Sequence, residues 1–150
     1  ALSDAGALLP PVLLPGLVEH NVGLAMALLL QLHRSDAPMG QIYGTFCVLE
    51  LSVRGLELAD FLLENSEVPG EVFCLFLSNM MRACRGLRDQ GRQRERFAKL
   101  LCNLCRKATR QRLRDLQDNV LDMRVEIETF CIEFSQVREA LELFRHLRSM

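Results

Sequence analysis

Tryptophan is absent from this sequence of 150 residues, and a single Tyr accompanies eight Phe. Alternating runs of Val, Ile, Thr and Tyr, which are typical of β-strands, are also missing. The hydrophobic content is nevertheless 49%, and Leu dominates it. Leu and the unbranched side chains lose little rotamer freedom in a helix. The composition therefore argues against a sheet protein and predicts packed amphipathic helices.

Long apolar runs and catalytic motifs are lacking as well. The longest apolar run, residues 22–30, is about half the length that a bilayer requires. There is no Gly-x-Ser-x-Gly elbow, P-loop or dinucleotide fingerprint. One Cys-x-x-Cys motif, from Cys102 to Cys105, occurs without the second ligand pair that a structural zinc site needs. We therefore expect no enzymatic activity, no cofactor and no metal, and a packing role for both cysteines.

All six cysteines lie inside apolar helical stretches. Free Cys is among the most frequently buried residue types, and an intracellular domain of this size rarely needs disulfides. We therefore predict buried, reduced thiols and a cytoplasmic location, with the nucleus as a second compartment.

Apolar residues recur at the i, i+3, i+4, i+7 spacing, which predicts seven or eight helices with short connections. Asn21, Ser52 and Ser135 are the predicted N-caps. The helix after Asn21 is apolar round nearly its whole circumference, which predicts burial on most sides. The expected fold class is all-α, an irregular, α-solenoid-like array of antiparallel helical hairpins. We predict that residues 1–12 form a loosely ordered leader and residues 13–150 a single helical domain.

The formal net charge of −1 conceals a strong asymmetry. Residues 82–114 contain 12 basic and 2 acidic side chains, whereas the rest of the chain contains 6 basic and 17 acidic ones. Arg outnumbers Lys in this basic segment, which suits bidentate binding of carboxylate or phosphate. The segment therefore predicts either a solvated face or a patch for an acidic peptide, with RNA as the less favoured ligand. Its candidate residues are Arg92, Arg96, Arg106 and Arg110.

A second candidate surface involves the last two helices. The predicted core stripe of the final helix includes Leu141 and Phe144. Four ionic side chains lie off the stripes of these helices and are candidates for binding a partner protein; a solvated face is the simpler interpretation of each. They are Glu133, Arg138, Glu142 and Arg145.

Three segments carry a resemblance to a known family. Residues 129–140 read TFCIEFSQVREA and are followed at 143–145 by LFR. Residues 14–21 read LPGLVEHN, and the middle of the chain contains VPGEV and LSN. Together these segments resemble the C-terminal domain of the CCR4-NOT complex subunit 11 family. The similarity spans residues 13–147.

The resemblance implies a non-catalytic subunit of the complex that shortens mRNA poly(A) tails. It further implies that a separate N-terminal region of the parent protein joins other CCR4-NOT subunits. The C-terminal domain would then recruit further proteins, with gametogenetin-binding protein 2 as the implied ligand. The favoured function is a scaffold or adaptor module of mRNA deadenylation. An RNA-binding helical module that uses the basic segment is the alternative.

Overall fold

The helices predicted from hydrophobic spacing are present in the computed structural model, which describes residues 10–65, 68–87, 91–110, 119 and 123–150. These residues form one 3-10 turn and eight α-helices, and no strand occurs among them, which confirms the all-α prediction. The turn is Pro11–Leu13, and the helices are α1 Leu14–His20, α2 Val22–Arg34, α3 Gly40–Cys47, α4 Val53–Asn65, α5 Gly70–Arg85, α6 Gly91–Arg110, α7 Arg124–Glu133 and α8 Arg138–Arg148.

Two of the three predicted N-caps are confirmed. The Asn21 side chain accepts a hydrogen bond from the Leu24 amide at 3.1 Å. The Ser52 hydroxyl accepts one from the Gly55 amide at 2.9 Å. The prediction for Ser135 is wrong, because Val137 occupies the N-cap position of α8. A tight turn precedes it, and this turn delays the start of α8 by two residues.

Contacts between helices group the chain into two compact units, Ala1–Val68 and Pro69–Met150. In the first unit, α1 packs against α2, α3 and α4, and α2 packs against α4. One stripe of α2 is buried, through Ala25, Leu29 and Leu32. The prediction that α2 is buried on most sides is wrong, because Leu24 is 44% exposed. The apolar surface of α2 is larger than the part of it that the neighbouring helices of this unit cover.

In the second unit, α8 packs against both α6 and α7, and α5 packs against α6. The aromatic part of this core consists of Phe73, Phe76, Phe97, Phe130 and Phe134. The buried stripe of α8 contains Leu143, whereas the predicted core residue Leu141 is 41% exposed. That prediction is wrong because Ala140, Leu143 and Leu147 form the buried stripe of α8, and Leu141 lies about 100° from Ala140 round the helix axis.

Some predictions fall outside the described residues. These include most of the leader 1–12, residues 120–122, where hydrophobic spacing predicts the start of a helix, and Arg88, Arg112 and Arg114 of the basic segment. The assignment of residues 13–150 to a single domain stays a prediction. Within the described part of the chain, no helix combines the length and apolarity needed to cross a membrane.

Helix α2 ends in a hydrogen-bonded C-cap that places Asp36 in the left-handed region, at φ 57°. The Ala37 amide donates to the Leu32 carbonyl at 3.1 Å, and the Asp36 amide donates to that of His33 at 3.2 Å. This pair of bonds is the Schellman arrangement, in which glycine usually occupies the left-handed position.

Replacing Asp36 tests this C-cap. We expect Asp36→Gly to raise the free energy of unfolding by ~0.5 kcal/mol, because glycine adopts positive φ without steric cost. Asp36→Val should lower it by more than about 1 kcal/mol, because a β-branched side chain is strained there. Thermal and denaturant unfolding measure both changes. Equal stability of the Val variant and the parent would contradict this description of the helix end.

Candidate protein-interaction surfaces

Helix α6 has a buried face and a basic face. The buried face comprises Phe97, Ala98, Leu101, Cys102, Leu104, Cys105, Ala108 and Thr109. Spacings of four, three and eleven residues place Arg92, Arg96, Lys99 and Arg110 on the opposite face. All four of these side chains are exposed, and we call this set the basic row. Lys99 belongs to the row although the patch predicted from the sequence consists of arginines only.

Arg106 lies in the same line along α6 but is half-buried and ion-paired. Its Nη1 lies 3.1 Å from Oε2 of Glu142 on α8. The other carboxylate oxygen of Glu142 lies 3.6 Å from Nε of Arg138. Glu142 therefore links α6 to α8, and it connects Arg106 of the basic patch with Arg138 of the second candidate surface.

An open groove of about 400 Å³ is lined by Arg106, Glu142, Arg145, His146 and Ser149. Arg145 is exposed there, and among the described residues it forms no ion pair. The groove thus brings together residues from both predicted patches. Sequence periodicity placed those patches on separate helices and gave no sign that they meet.

His146 forms one side of this groove and is oriented by Thr109. The Thr109 hydroxyl donates to the Arg106 carbonyl at 2.8 Å, so its lone pair accepts from Nε2–H of His146 at 3.0 Å. Burial lowers the pKa of His146, and the positive charges of Arg106 and Arg110 lower it further. The imidazole is therefore a neutral donor at neutral pH. The local potential is positive.

Glu133 is the last residue of α7 and belongs to a separate ionic cluster. One of its oxygens lies 2.5 Å from Nε of Arg85, and the other lies 3.0 Å from Nη2 of Arg94. The Arg94 guanidinium also stacks 4.3 Å from the centre of the Phe134 ring. Glu133 thereby joins the ends of α5, α6 and α7. These contacts within the chain account for the position of Glu133 outside the core stripe, so no partner protein is needed to explain it.

All six cysteines are buried and free, which confirms the prediction made from their apolar surroundings. The Cys102 thiol forms a hydrogen bond with Cys131 of α7, and this bond and burial raise its pKa. Burial raises the pKa of Cys84 to about 11. Thiols with raised pKa values are poor nucleophiles at neutral pH. Within the described segments, no group of three potential ligands could hold a metal ion.

The first unit contains a groove that the sequence did not predict. It has a volume of about 460 Å³ and is lined mainly by Pro15, Val18, Glu19, Val48 and Glu50. Val48 is 67% exposed, and the two carboxylates make the rim acidic. Its residues come from α1 and from the α3–α4 connection, so no spacing along the chain indicates it.

Comparison with known proteins decides the family. The family model of CCR4-NOT transcription complex subunit 11 matches residues 18–148. The chain belongs to this family. A curated relative, CCR4-NOT transcription complex subunit 11 of Dictyostelium discoideum, is 29% identical over 137 residues, which covers 91% of this chain and 20% of that protein. The chain therefore spans about a fifth of the length of the relative that it matches. The resemblance inferred from the sequence is confirmed.

The segment that carried the resemblance to CCR4-NOT transcription complex subunit 11 forms the junction of α7 and α8. Phe130, Phe134, Val137 and Ala140 of this segment are all buried. Glu133 is held in the ion cluster described above. The buried residues of this segment, together with Glu133, therefore stabilise the packing of the second unit, whereas Arg138 of the same segment is exposed.

The Glu133 cluster provides a test of this division between frame and surface. We expect Glu133→Ala to lower the free energy of unfolding by about 1 kcal/mol, because two partly exposed arginines lose their partner. Arg138→Ala should change it by less than about 0.5 kcal/mol, since the Arg138 side chain is 82% exposed. Denaturant unfolding of both variants measures the difference. The opposite order of the two effects would contradict the assignment of Glu133 to the frame.

His146 provides a test of the electrostatics of the groove. We expect Arg110→Gln to raise the pKa of His146 towards its ordinary value, and Arg82→Gln on α5 to leave it unchanged. A proton NMR titration of the His146 ring measures this pKa in both variants. Because folding lowers this pKa, the contribution of His146 to stability is present above the ordinary histidine pKa and is lost as the pH falls through the lowered one. An unaltered pKa in Arg110→Gln would contradict the positive potential.

Proposed function

We propose that this chain is a non-catalytic recruitment module of the CCR4-NOT mRNA deadenylase complex and that it binds partner proteins through a helical surface. Membership of the subunit 11 family supports the complex. The observation that carries the recruitment role is the groove between α6 and α8, where residues of both candidate patches meet. We place the module in the cytoplasm, with the nucleus as a second compartment.

The outer face of α8 has a mixed character that suits protein recognition. Leu141 is 41% exposed, and Arg138 and Arg145 lie one turn before and one turn after it. Interfaces are commonly centred on an apolar contact with arginines around it, because an arginine contributes both apolar area and directed hydrogen bonds. We call the set Arg138, Leu141, Glu142 and Arg145 the α8 face.

The charges of the α8 face differ in their availability. Glu142 is ion-paired to Arg106, which fixes its position before any partner arrives. Arg145 has no ion-pair partner within the described ranges. A partner carboxylate can therefore bind the Arg145 fork without breaking an existing bond. A helix or extended peptide laid along the α8 face would bury Leu141 and satisfy Arg145 together.

The implied partner is gametogenetin-binding protein 2, which the family resemblance suggested. Contacts with other CCR4-NOT subunits are assigned to the remainder of the parent protein, since this chain corresponds to about a fifth of its relative. In this proposal the chain tethers this partner to the deadenylase and does not itself act on the poly(A) tail.

Loss of the α8 face should abolish recruitment. We expect the tagged chain to retain gametogenetin-binding protein 2 after nuclease treatment and the variant L141A/R145E to retain at least about 10-fold less, because an apolar anchor and a charge pair are both lost. The matched control is L24A/R34E, which changes an equally exposed Leu and an exposed Arg on α2. Direct mixing of the purified proteins, followed by a pull-down, measures retention.

Two results would contradict this proposal. One is recovery that disappears with nuclease, because the partner would then be held through RNA. The other is an equal loss of binding in L141A/R145E and L24A/R34E. Circular dichroism and thermal melting of both variants distinguish lost binding from lost folding.

A further inference from the structure

The basic row of α6 is a surface with a defined geometry. Arg92, Arg96, Lys99 and Arg110 fall within about 60° of one another round the helix axis, at 100° per residue. From first to last they span 18 residues, or about 27 Å. Asn103 lies in the same line and is exposed. The row is therefore a straight, rigid line of positive charge along the outer side of a 20-residue helix.

The arginines of α6 divide into two groups by what they contact. Arg94 is bound to Glu133 and Phe134, and Arg106 is bound to Glu142. The four side chains of the basic row make no ion pair with any described residue. Glu95 is the single acidic residue of α6, and it pairs with none of them. The row is thus unneutralised by the described part of the chain.

We infer that the basic row binds an acidic helical segment of a partner protein. Carboxylates on such a segment at spacings of four and three residues would face Arg92, Arg96 and Lys99 in turn, because two parallel or antiparallel helices share the same rise per residue. Each arginine presents a planar fork that matches a carboxylate. The inference rests on the proposed function, since it supplies the chemistry of a protein partner.

The same row is less suited to single-stranded RNA. Proteins that bind single strands combine cationic grooves with exposed aromatic side chains on which bases stack. Phe97 is the one aromatic residue of α6 and is only 5% exposed. The row also lies along the convex surface of a helix. RNA could therefore bind the row only through the attraction between its phosphates and these cationic side chains.

The experiment compares an acidic peptide with RNA on the whole chain. The probes are a labelled helical peptide with Glu at positions i, i+4 and i+7, a peptide with the same composition in scrambled order, and poly(A) and poly(U) oligonucleotides. The variant R92Q/R96Q/K99Q removes three charges from the row. The control R34Q/R54Q/R82Q removes three exposed charges elsewhere and leaves the net charge of the two variants equal. Fluorescence anisotropy at two salt concentrations measures binding.

We expect the ordered acidic peptide to bind the parent chain more tightly than the scrambled peptide and the RNAs. The row variant should lose about 10-fold in affinity, because three exposed charge pairs each contribute a small, screened amount. The control variant should stay within about twofold. Melting curves of both variants establish that they are folded.

The inference is overturned by any of three results. These are no binding of the ordered peptide, equal losses in the row and control variants, or RNA that binds more tightly than the peptide and is lost in the row variant. Failure here is distinguishable from failure of the proposed function. L141A/R145E leaves the basic row intact and should still bind the acidic peptide, whereas R92Q/R96Q/K99Q leaves the α8 face intact.

Discussion

Burial of the apolar face of α6 is the constraint on which the second unit depends. Phe97, Leu101 and Leu104 are each at most 5% exposed, and α5 and α8 pack against this helix. Because a helix displays opposite faces at a fixed angular offset, burying this stripe forces Arg92, Arg96, Lys99 and Arg110 outward. The core thereby determines the position of the basic row, and the proposed binding surface is a direct consequence of packing.

Ion pairing between helices explains why ionic residues in similar positions along the sequence have different roles. Glu133 and Glu142 both lie off the predicted core stripes, yet each joins helices through arginines of α6. Arg145 lies three residues beyond Glu142 and has no such partner in the described structure. An exposed charge that is already paired stabilises the frame slightly, whereas an unpaired one can bind a partner at lower cost. The unpaired charges are therefore the better candidates for recognition.

Much of this structure is predictable because its determinants are local. The Asn21 and Ser52 caps and the helical fold class follow from side-chain chemistry and helical spacing, and the family resemblance follows from residues 129–140. The start of α8 is set by the turn that follows α7, so the N-cap at Val137 could not be read from side-chain chemistry alone. The Arg106–Glu142 pair and the groove of the first unit join residues from separate elements, and no pattern along one chain encodes such proximity.

The central claim is that partner proteins bind the outer sides of α6 and α8. An isotope-labelled sample of this 17.1 kDa chain permits NMR spectra to be recorded during titration with purified gametogenetin-binding protein 2. Our account predicts that the largest shifts occur at the arginine side-chain signals of Arg92, Arg96 and Arg145 and at the Leu141 methyl groups. Shifts confined to the groove around Val48 and Pro15, with those signals unmoved, would contradict it.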